Sequence, residues 1–380
     1  MIPYSKQEIS NDDIRAVTEV LRSDFLTTGP KVLDFETECL QYFNAKFSLS
    51  FNSATSALHI ACLAMDLNQN DIVWTSSISF VASANCALYC GASIDLVDID
   101  KKTFNISESK LEEKLIEAKK KNKLPTVLIV VHLAGLPCDM AKIKKLSKLY
   151  NFKIIEDASH AVGSTYKNST IGDCKYSDIT IFSFHPVKIF TTGEGGMILT
   201  NSKDIAKKAE LYRSHGITRN KNFFKNHDHS PWIYEQQVLG YNYRMTDIAA
   251  ALGISQLKKV KTWNVRRNFL AEKYKLKFKE NGGIHYQENP SNNVYSSYHL
   301  FIIQVNQRDR IFKELSKLGI GVNVHYIPIH YHPFYMDLGF KKGDFPIAEN
   351  YYENAISIPL YPSLSQKDQN FVIKSINNLI

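Results

Sequence analysis

A lysine between a β-branched run and a glycine-rich turn is the residue of this 380-residue chain best placed for covalent chemistry. Lys188 ends Ile181-Phe182-Ser183-Phe184-His185-Pro186-Val187-Lys188, and Thr191-Thr192-Gly193-Glu194-Gly195-Gly196 follows shortly after it. Pro186 keeps a regular helix from starting at once, and most of the neighbours are apolar or small. A lysine in such partly desolvated surroundings falls below its reference pKa of about 10.4 and becomes a nucleophile able to form a Schiff base. Three other segments carry complementary chemistry. Asn52-Ser53-Ala54-Thr55-Ser56-Ala57-Leu58 is a run of small polar residues between a strand and an apolar-periodic helix. Free amides and hydroxyls at a helix N-terminus cradle phosphate. Ile155-Glu156-Asp157-Ala158-Ser159-His160 brings an acid to a strand end, where a buried carboxylate needs a cation or hydrogen-bond donors. Gly240-Tyr241-Asn242-Tyr243-Arg244-Met245 is a polar, aromatic insert before a long helix.

Each segment also has an ordinary structural explanation. Ser and Thr cap many helices that bind nothing, Asp157 suits a cap or a salt bridge, an isolated lysine is usually a surface residue, and Asn242 can close a local loop. Jointly they meet one demand. A phosphate cradle, an acid, and a lysine 31 residues after that acid are what pyridoxal phosphate requires for its phosphate, its ring nitrogen and its aldehyde. The chain has no Gly-x-Gly-x-x-Gly after its first strand and no Gly-x-x-x-x-Gly-Lys-Ser/Thr. Dinucleotide-dependent hydride transfer and P-loop chemistry therefore lose their sequence support.

The elements that must position these residues alternate. Strands are expected at 47–51, 72–74, 93–97, 127–131, 153–156, 179–184 and 197–200, with helices at 12–23, 32–42, 55–65, 81–89, 108–120, 141–150 and 203–214. Strands apolar along their whole length, alternating with helices, predict a mostly parallel seven-stranded sheet between helices, an α/β fold. After Thr246 one long, mostly helical segment runs to about Lys279. Strands at 299–305, 322–325 and 356–359 and helices at 308–318 and 366–379 then predict a small α+β unit. We place a large α/β domain over 1–250 and a small C-terminal α+β domain over 251–380.

Composition excludes several alternatives. Hydrophobic residues make up 44% and charged residues 22% of the chain, proportions of an ordinary globular protein. The 46 Lys plus Arg exceed the 38 Asp plus Glu by 8, but the lysines are scattered along helical stretches such as 119–123 and 142–148, so no nucleic-acid partner is expected. Apolar runs such as Val127–Val131 are far shorter than the roughly 18 residues of a membrane span, and the N-terminus lacks a secretory pattern. We expect a cytoplasmic protein whose six cysteines are buried, reduced thiols without a metal.

At Ser23–Pro30, Asn52–Leu58, Glu156–Ala161, Phe182–Lys188 and Val324–Pro328 the chain resembles the sugar aminotransferases of fold-type I pyridoxal-phosphate enzymes, nearly end to end. Within them it is similar to a branch that aminates C4 of a UDP-linked 4-keto sugar with L-glutamate as donor. The resemblance implies that Lys188 forms the Schiff base and shuttles a proton, that Asp157 pairs with the ring nitrogen, and that His160 sits by the ring's phenolic oxygen. It also implies that Ser183, Ala54 and Thr55 hold the phosphate and that Phe80 stacks on the ring. Family members are homodimers, and Asn242 is the residue expected to reach the neighbouring active site. The sugar nucleotide is assigned to Tyr4, to Asp24, Phe25, Leu26 and Thr27, and to His325, Tyr326, Ile327 and Pro328. Arg244 and Arg213 are candidates for the glutamate carboxylate. Many relatives have Gly-Thr at the phosphate turn and Gln at the position of His160; this chain has Ala54-Thr55 and His160. Related sugar dehydratases have His in place of the lysine, so Lys188 sets this chain with the aminotransferases.

Overall fold

The strands that carry the candidate residues meet in one sheet. In a computed structural model that describes residues 1–225 and 230–380, these strands are β1 (Phe47–Phe51), β2 (Ile72–Ser76), β3 (Ser93–Val97), β4 (Val127–Val131), β5 (Lys153–Asp157), β6 (Ile179–Ser183) and β7 (Gly196–Thr200). They form a seven-stranded sheet in the order β1-β7-β6-β5-β4-β2-β3. Strands β6, β5, β4, β2 and β3 pair in parallel, whereas β7 runs antiparallel to both neighbours. The reason is local. The turn after β6 returns directly to β7 without a crossover helix, and such a connection joins antiparallel strands.

Successive side chains of a strand point to opposite faces, and both faces are covered. Leu128, Val130, Ile154, Phe182 and Leu199 pack beneath α2 (Pro30–Phe43), α5 (Glu108–Lys120), α6 (Met140–Tyr150) and α8 (Asp247–Leu257). Val127, Ile129, Ile155, Ile181 and Ile198 pack against α3 (Ala54–Ala64), α4 (Ala82–Tyr89) and α7 (Lys203–Arg213). Core membership changes along α9 (Val260–Phe278): Val260 and Trp263 belong with the first face, while Leu270, Ala271, Tyr274 and Phe278 pack on a second, three-stranded antiparallel sheet. That sheet consists of β8 (Ile284–Tyr286), β9 (Phe301–Val305) and β10 (Ala355–Ile358), with α10 (Arg308–Lys317) and α12 (Gln366–Leu379) against it; α11 (Pro346–Asn354) precedes β10.

Three expectations need correction. The segment 246–279 is not one helix: it breaks at Lys258 and Lys259, where α8 ends and α9 begins. No strand forms over 322–325, where one isolated bridge joins Asn323 to Ser357. There the Asn323 carboxamide accepts the next amide, of Val324, at 2.8 Å, a local bond that competes with a ladder. The short helix Pro346–Asn354 was not foreseen, although Pro at its first position is a start signal. Of the cysteines, five are buried and Cys90 is half-buried. Among the described residues no group of His, Cys, Asp and Glu is arranged to hold a metal ion, and no helix is long and apolar enough to cross a membrane.

The N-terminal helix α1 (Asn11–Leu21) is fastened to α8 by one buried carboxylate. Asp13, fully buried, accepts from Lys259 Nζ at 2.7 and 2.8 Å, Ser255 Oγ at 2.6 Å, Gln256 Nε2 at 2.8 Å and the Ser10 amide at 2.8 Å. Burial alone would raise its pKa, but these donors outweigh burial and hold it at about 2. Such a carboxyl stabilises the fold fully above its unfolded pKa of about 3.9, and the contribution is lost as pH falls towards 2. Asp13→Ala should destabilise the protein by about 3 kcal/mol at neutral pH, because Lys259 loses its partner. Urea unfolding at about pH 7 and about pH 3 measures this, and the difference between variant and parent should shrink in acid.

Candidate active site

Strand order determines which candidate residues can touch. Gly196, the first residue of β7, is in register with Phe51 of β1 on one side and Ser183 of β6 on the other. The N-terminus of α3 therefore lies next to the end of β6, with only a glycine between. A Cβ on Gly196 would stand 2.4 Å from the Ser53 carbonyl oxygen and 2.6 Å from the Ala54 nitrogen. The hydrogen at this position lets the helix start approach. Ser53 caps α3 by accepting from the Ser56 amide at 3.1 Å, so the earlier amides, of Ala54 and Thr55, have no intrahelical acceptor and favour an anion.

The lysine and the acid come from the neighbouring strands β6 and β5. Asp157 is the last residue of β5. One of its oxygens accepts from Ser83 Oγ at 2.6 Å, and the other from the Ser159 amide at 3.1 Å and Ser159 Oγ at 2.6 Å. Ser79 Oγ lies 2.8 Å from Ser83 Oγ, extending the chain of hydroxyls. Lys188 stands in the turn that follows β6. Its turn is closed by the Phe184 amide on the Gly195 carbonyl and the Thr192 amide on the Phe184 carbonyl, at 2.9 and 3.0 Å, and Gly193 supplies a left-handed residue at φ +83°. Burial lowers the Lys188 pKa to about 8, with the nearby Asp157 charge acting the other way. An amine in this range is largely protonated at neutral pH yet readily gives the neutral nucleophile.

Lys188, Ala54, Thr55, Ser183, Phe80, His325 and Tyr326 line one cavity of about 610 Å³. Phe80 is 57% exposed, so it is not a core-packing residue. Its ring centroid lies 6.1 Å from that of Tyr326. His160, buried, connects to the cavity through Tyr326, whose hydroxyl is 3.0 Å from His160 Nε2. His325 Nδ1 is 2.8 Å from Ser357 Oγ, and the Tyr4 ring packs 5.5 Å from the His325 ring. Burial, reinforced by the Lys188 charge, lowers the His325 pKa to about 3.

Other expected residues stand apart from this cavity. Asp24, Phe25, Leu26 and Thr27 are exposed beside the start of α8, where Leu26 O accepts from the Asp247 amide at 3.0 Å and Thr27 bridges Thr246. Asn242 is exposed next to the end of β1; its carbonyl is 3.5 Å from Asn52 Nδ2, and its side chain does not line the cavity. Ile327 is exposed and Pro328 buried, and neither lines it. Arg213 is engaged elsewhere, pairing with Glu36 at 2.5 Å and donating to the Ser50 carbonyl at 2.9 Å. Arg244 donates to Ser214 Oγ at 3.1 Å, and its Nε has no partner. Sequence reasoning missed Ser83, Ser159 and the lining residue His185 as contributors. Ser159 and His185 lie inside segments already singled out, as small or polar residues, whereas Ser83 lies on α4 with no local signal.

A desolvated lysine and an open helix N-terminus line one cavity, and the strand-end carboxylate of Asp157, which does not line it, is close enough to act on the lysine charge. This set fits pyridoxal phosphate, and the fold with this site defines a pyridoxal-phosphate aminotransferase. More particularly, the chain belongs to the DegT/DnrJ/EryC1/StrS aminotransferase family, which matches residues 7–377. It is 39% identical to a Campylobacter jejuni protein named UDP-4-amino-4,6-dideoxy-N-acetyl-β-L-altrosamine transaminase, over all of this chain and 98% of the relative. Among solved structures it is similar to Helicobacter pylori PseC, an aminotransferase involved in the biosynthesis of pseudoaminic acid, with TM-score 0.89 and 32% identity over 99% of this chain and 98% of that one. It is also similar to the Streptococcus pneumoniae protein Spr1654 in its PMP form, with TM-score 0.90 and 31% identity over 100% and 99% of the two chains.

Two outcomes follow from this geometry. In the cofactor-free protein, Lys188 should react with an amine-specific reagent with a midpoint near pH 8, well below that of exposed lysines at about 10.4. Peptide mass spectrometry reads the extent, and Asp157→Asn should move the midpoint lower because it removes the charge that favours the ammonium. Gly196→Ala should cost about 1–3 kcal/mol of stability through overpacking, measured by denaturant unfolding, and should weaken cofactor retention on dialysis.

Proposed function

We propose that this chain moves an amino group from L-glutamate to C4 of UDP-2-acetamido-2,6-dideoxy-β-L-arabino-hex-4-ulose. The product is UDP-4-amino-4,6-dideoxy-N-acetyl-β-L-altrosamine, on the route to pseudaminic acid. The observation that carries the reading is the desolvated Lys188 beside Asp157 in a cavity that ends at the α3 N-terminus. The relatives named for this reaction and this route support the choice of acceptor. When bound, pyridoxal phosphate supplies an aldehyde that exchanges amines and a protonated ring that accepts electrons. The amides of Ala54 and Thr55 and the Ser183 hydroxyl would hold its phosphate, Asp157 would keep the ring nitrogen protonated, and Phe80 would cover the ring. Lys188 would hold the aldehyde and, when free, would take and return a proton at the substrate carbon. His325 and Tyr326 line the cavity on the side assigned to the sugar, and Tyr4 packs behind His325.

The protein works as a homodimer in this reading. Asn242 and Asp24–Thr27 lie away from the cavity of their own chain, and a second copy would receive them at its cavity. The exposed apolar side chains of Phe25, Leu26 and Leu239 favour burial between copies. The division into a cofactor-binding domain over 1–250 and a small domain over 251–380 belongs to the same proposal.

The test incubates the purified protein with glutamate and a panel of UDP-4-keto sugars and identifies products by NMR. Amination of the named acceptor with ping-pong kinetics is expected. Amination of a different 4-keto sugar alone would move the acceptor, and amination of none would refute the proposal. Lys188→Ala should lower turnover by at least about a thousandfold, and borohydride should fix the cofactor to Lys188 in the parent protein only.

A further inference from the structure

The hydrogen bonds around His160 determine where its single proton points. Nδ1 of His160 accepts the amide of Ala134 at 3.2 Å. A backbone amide can only donate, so Nδ1 carries no proton and the neutral ring bears it on Nε2. Nε2 lies 3.0 Å from Tyr326 Oη, and the phenol oxygen is therefore the acceptor. The protonated ring is disfavoured as well, since burial and the nearby Lys188 and His325 charges push the His160 pKa well down.

The Ala134 amide is available because of an unusual backbone. Ala134 is left-handed at φ +59°, in a short turn after β4, a conformation that L-residues other than Asn, Asp and His seldom adopt. Gly135 follows at φ +94°, and a Cβ there would stand 2.5 Å from Ser297 Oγ and 2.9 Å from the His160 carbonyl. Ser297 Oγ in turn donates to that carbonyl at 2.9 Å. Both ends of His160, ring and backbone, are thus held by the turn 133–135 and its contacts.

With its oxygen receiving the His160 proton, Tyr326 retains its own. Burial and the Asp157 charge raise the phenol pKa, so that proton stays in place at neutral pH. Tyr326 Oη makes no hydrogen bond to Asp157, whose oxygens are occupied by Ser83 and Ser159, and Tyr326 lines the cavity that Lys188 lines. The geometry points to Tyr326 as the hydrogen-bond donor to an oxygen acceptor bound in this cavity, with His160 as the positioning residue that aims it. The acceptor is either the phenolic oxygen of the cofactor or the keto oxygen of the sugar. This deepens the function proposed above and rests on it, and it places Tyr326 between the cavity and His160, the residue that the resemblance sets by the ring's phenolic oxygen.

The first measurement needs neither cofactor nor turnover. Nitrogen-15 NMR of histidine-labelled, cofactor-free protein, with the His160 signals assigned by their loss in His160→Gln, should show a neutral ring protonated on Nε2 from about pH 6 to about pH 8. A ring protonated on Nδ1, or one that becomes charged in this range, would overturn the inference. The second measurement uses the holoenzyme of Tyr326→Phe. If the acceptor is the cofactor oxygen, the pH titration of the visible absorbance shifts. If it is the keto oxygen, that titration is unchanged and the affinity for the UDP-4-keto sugar falls roughly three- to tenfold, as for one lost hydrogen bond. Either result supports the donor role. A variant that still forms the borohydride-trapped Lys188 adduct but changes neither property would overturn this inference alone, whereas a parent protein that traps no cofactor would overturn the functional reading beneath it.

Discussion

An amine that must be both stable in a folded protein and reactive near neutral pH needs partial removal from water, with one opposite charge close enough to prevent complete loss of its proton. Lys188 meets both conditions because burial lowers its pKa and Asp157 limits the fall. The rest of the sheet can be read from this requirement. Asp157 must end a strand adjacent to the one that delivers the lysine, which places β5 beside β6. The carboxylate must in turn be satisfied without neutralising it, and the hydroxyls of Ser83 and Ser159 do so without a second cation. The candidate phosphate cradle at the start of α3 is brought beside the end of β6 by the single intervening residue Gly196, which has no side chain to hold the Ser53 and Ala54 backbone away.

Net charge has little part in this arrangement. Among the described residues, Lys188 is the only lysine or arginine lining the cavity. Several other lysines pair with acids one helical turn away, as Lys110 does with Glu113 and Lys121 with Glu117, and such exposed pairs contribute little energy. The basic excess is mainly a property of the solvated surface, while anion recognition falls to backbone amides and hydroxyls, which do not enter a charge count.

The two residues with the most restrictive chemistry, Lys188 and Asp157, were legible in the sequence because few side chains can replace an amine nucleophile or a strand-end acid. The central strand β4 was legible for a similar reason, since a strand buried on both faces must be apolar along its length, as Val127–Val131 is. What escaped were contacts between distant segments. The bond from His160 to Tyr326 spans 166 residues, and no local pattern encodes it. The serines that support Asp157 lie on a different helix or in the following turn, where serine has many uses. At 322–325 a β-branched pattern failed to give a strand because Asn323 satisfies its neighbour's amide locally. At 258–259 helix propensity continued through a break that depends on how α8 packs against α1 and α2.

Gly196 and the exposed loops near the site differ in their freedom to vary. At the phosphate end even one methyl group meets the main chain of Ser53 and Ala54, so a lineage cannot alter that end by small steps. Ile327 and the segment Asp24–Thr27 are exposed to solvent, and substitutions there disturb no core. A scaffold built this way is rigid where main chain meets main chain at Gly196 and permissive in its exposed loops, whose side chains can change without opening the core.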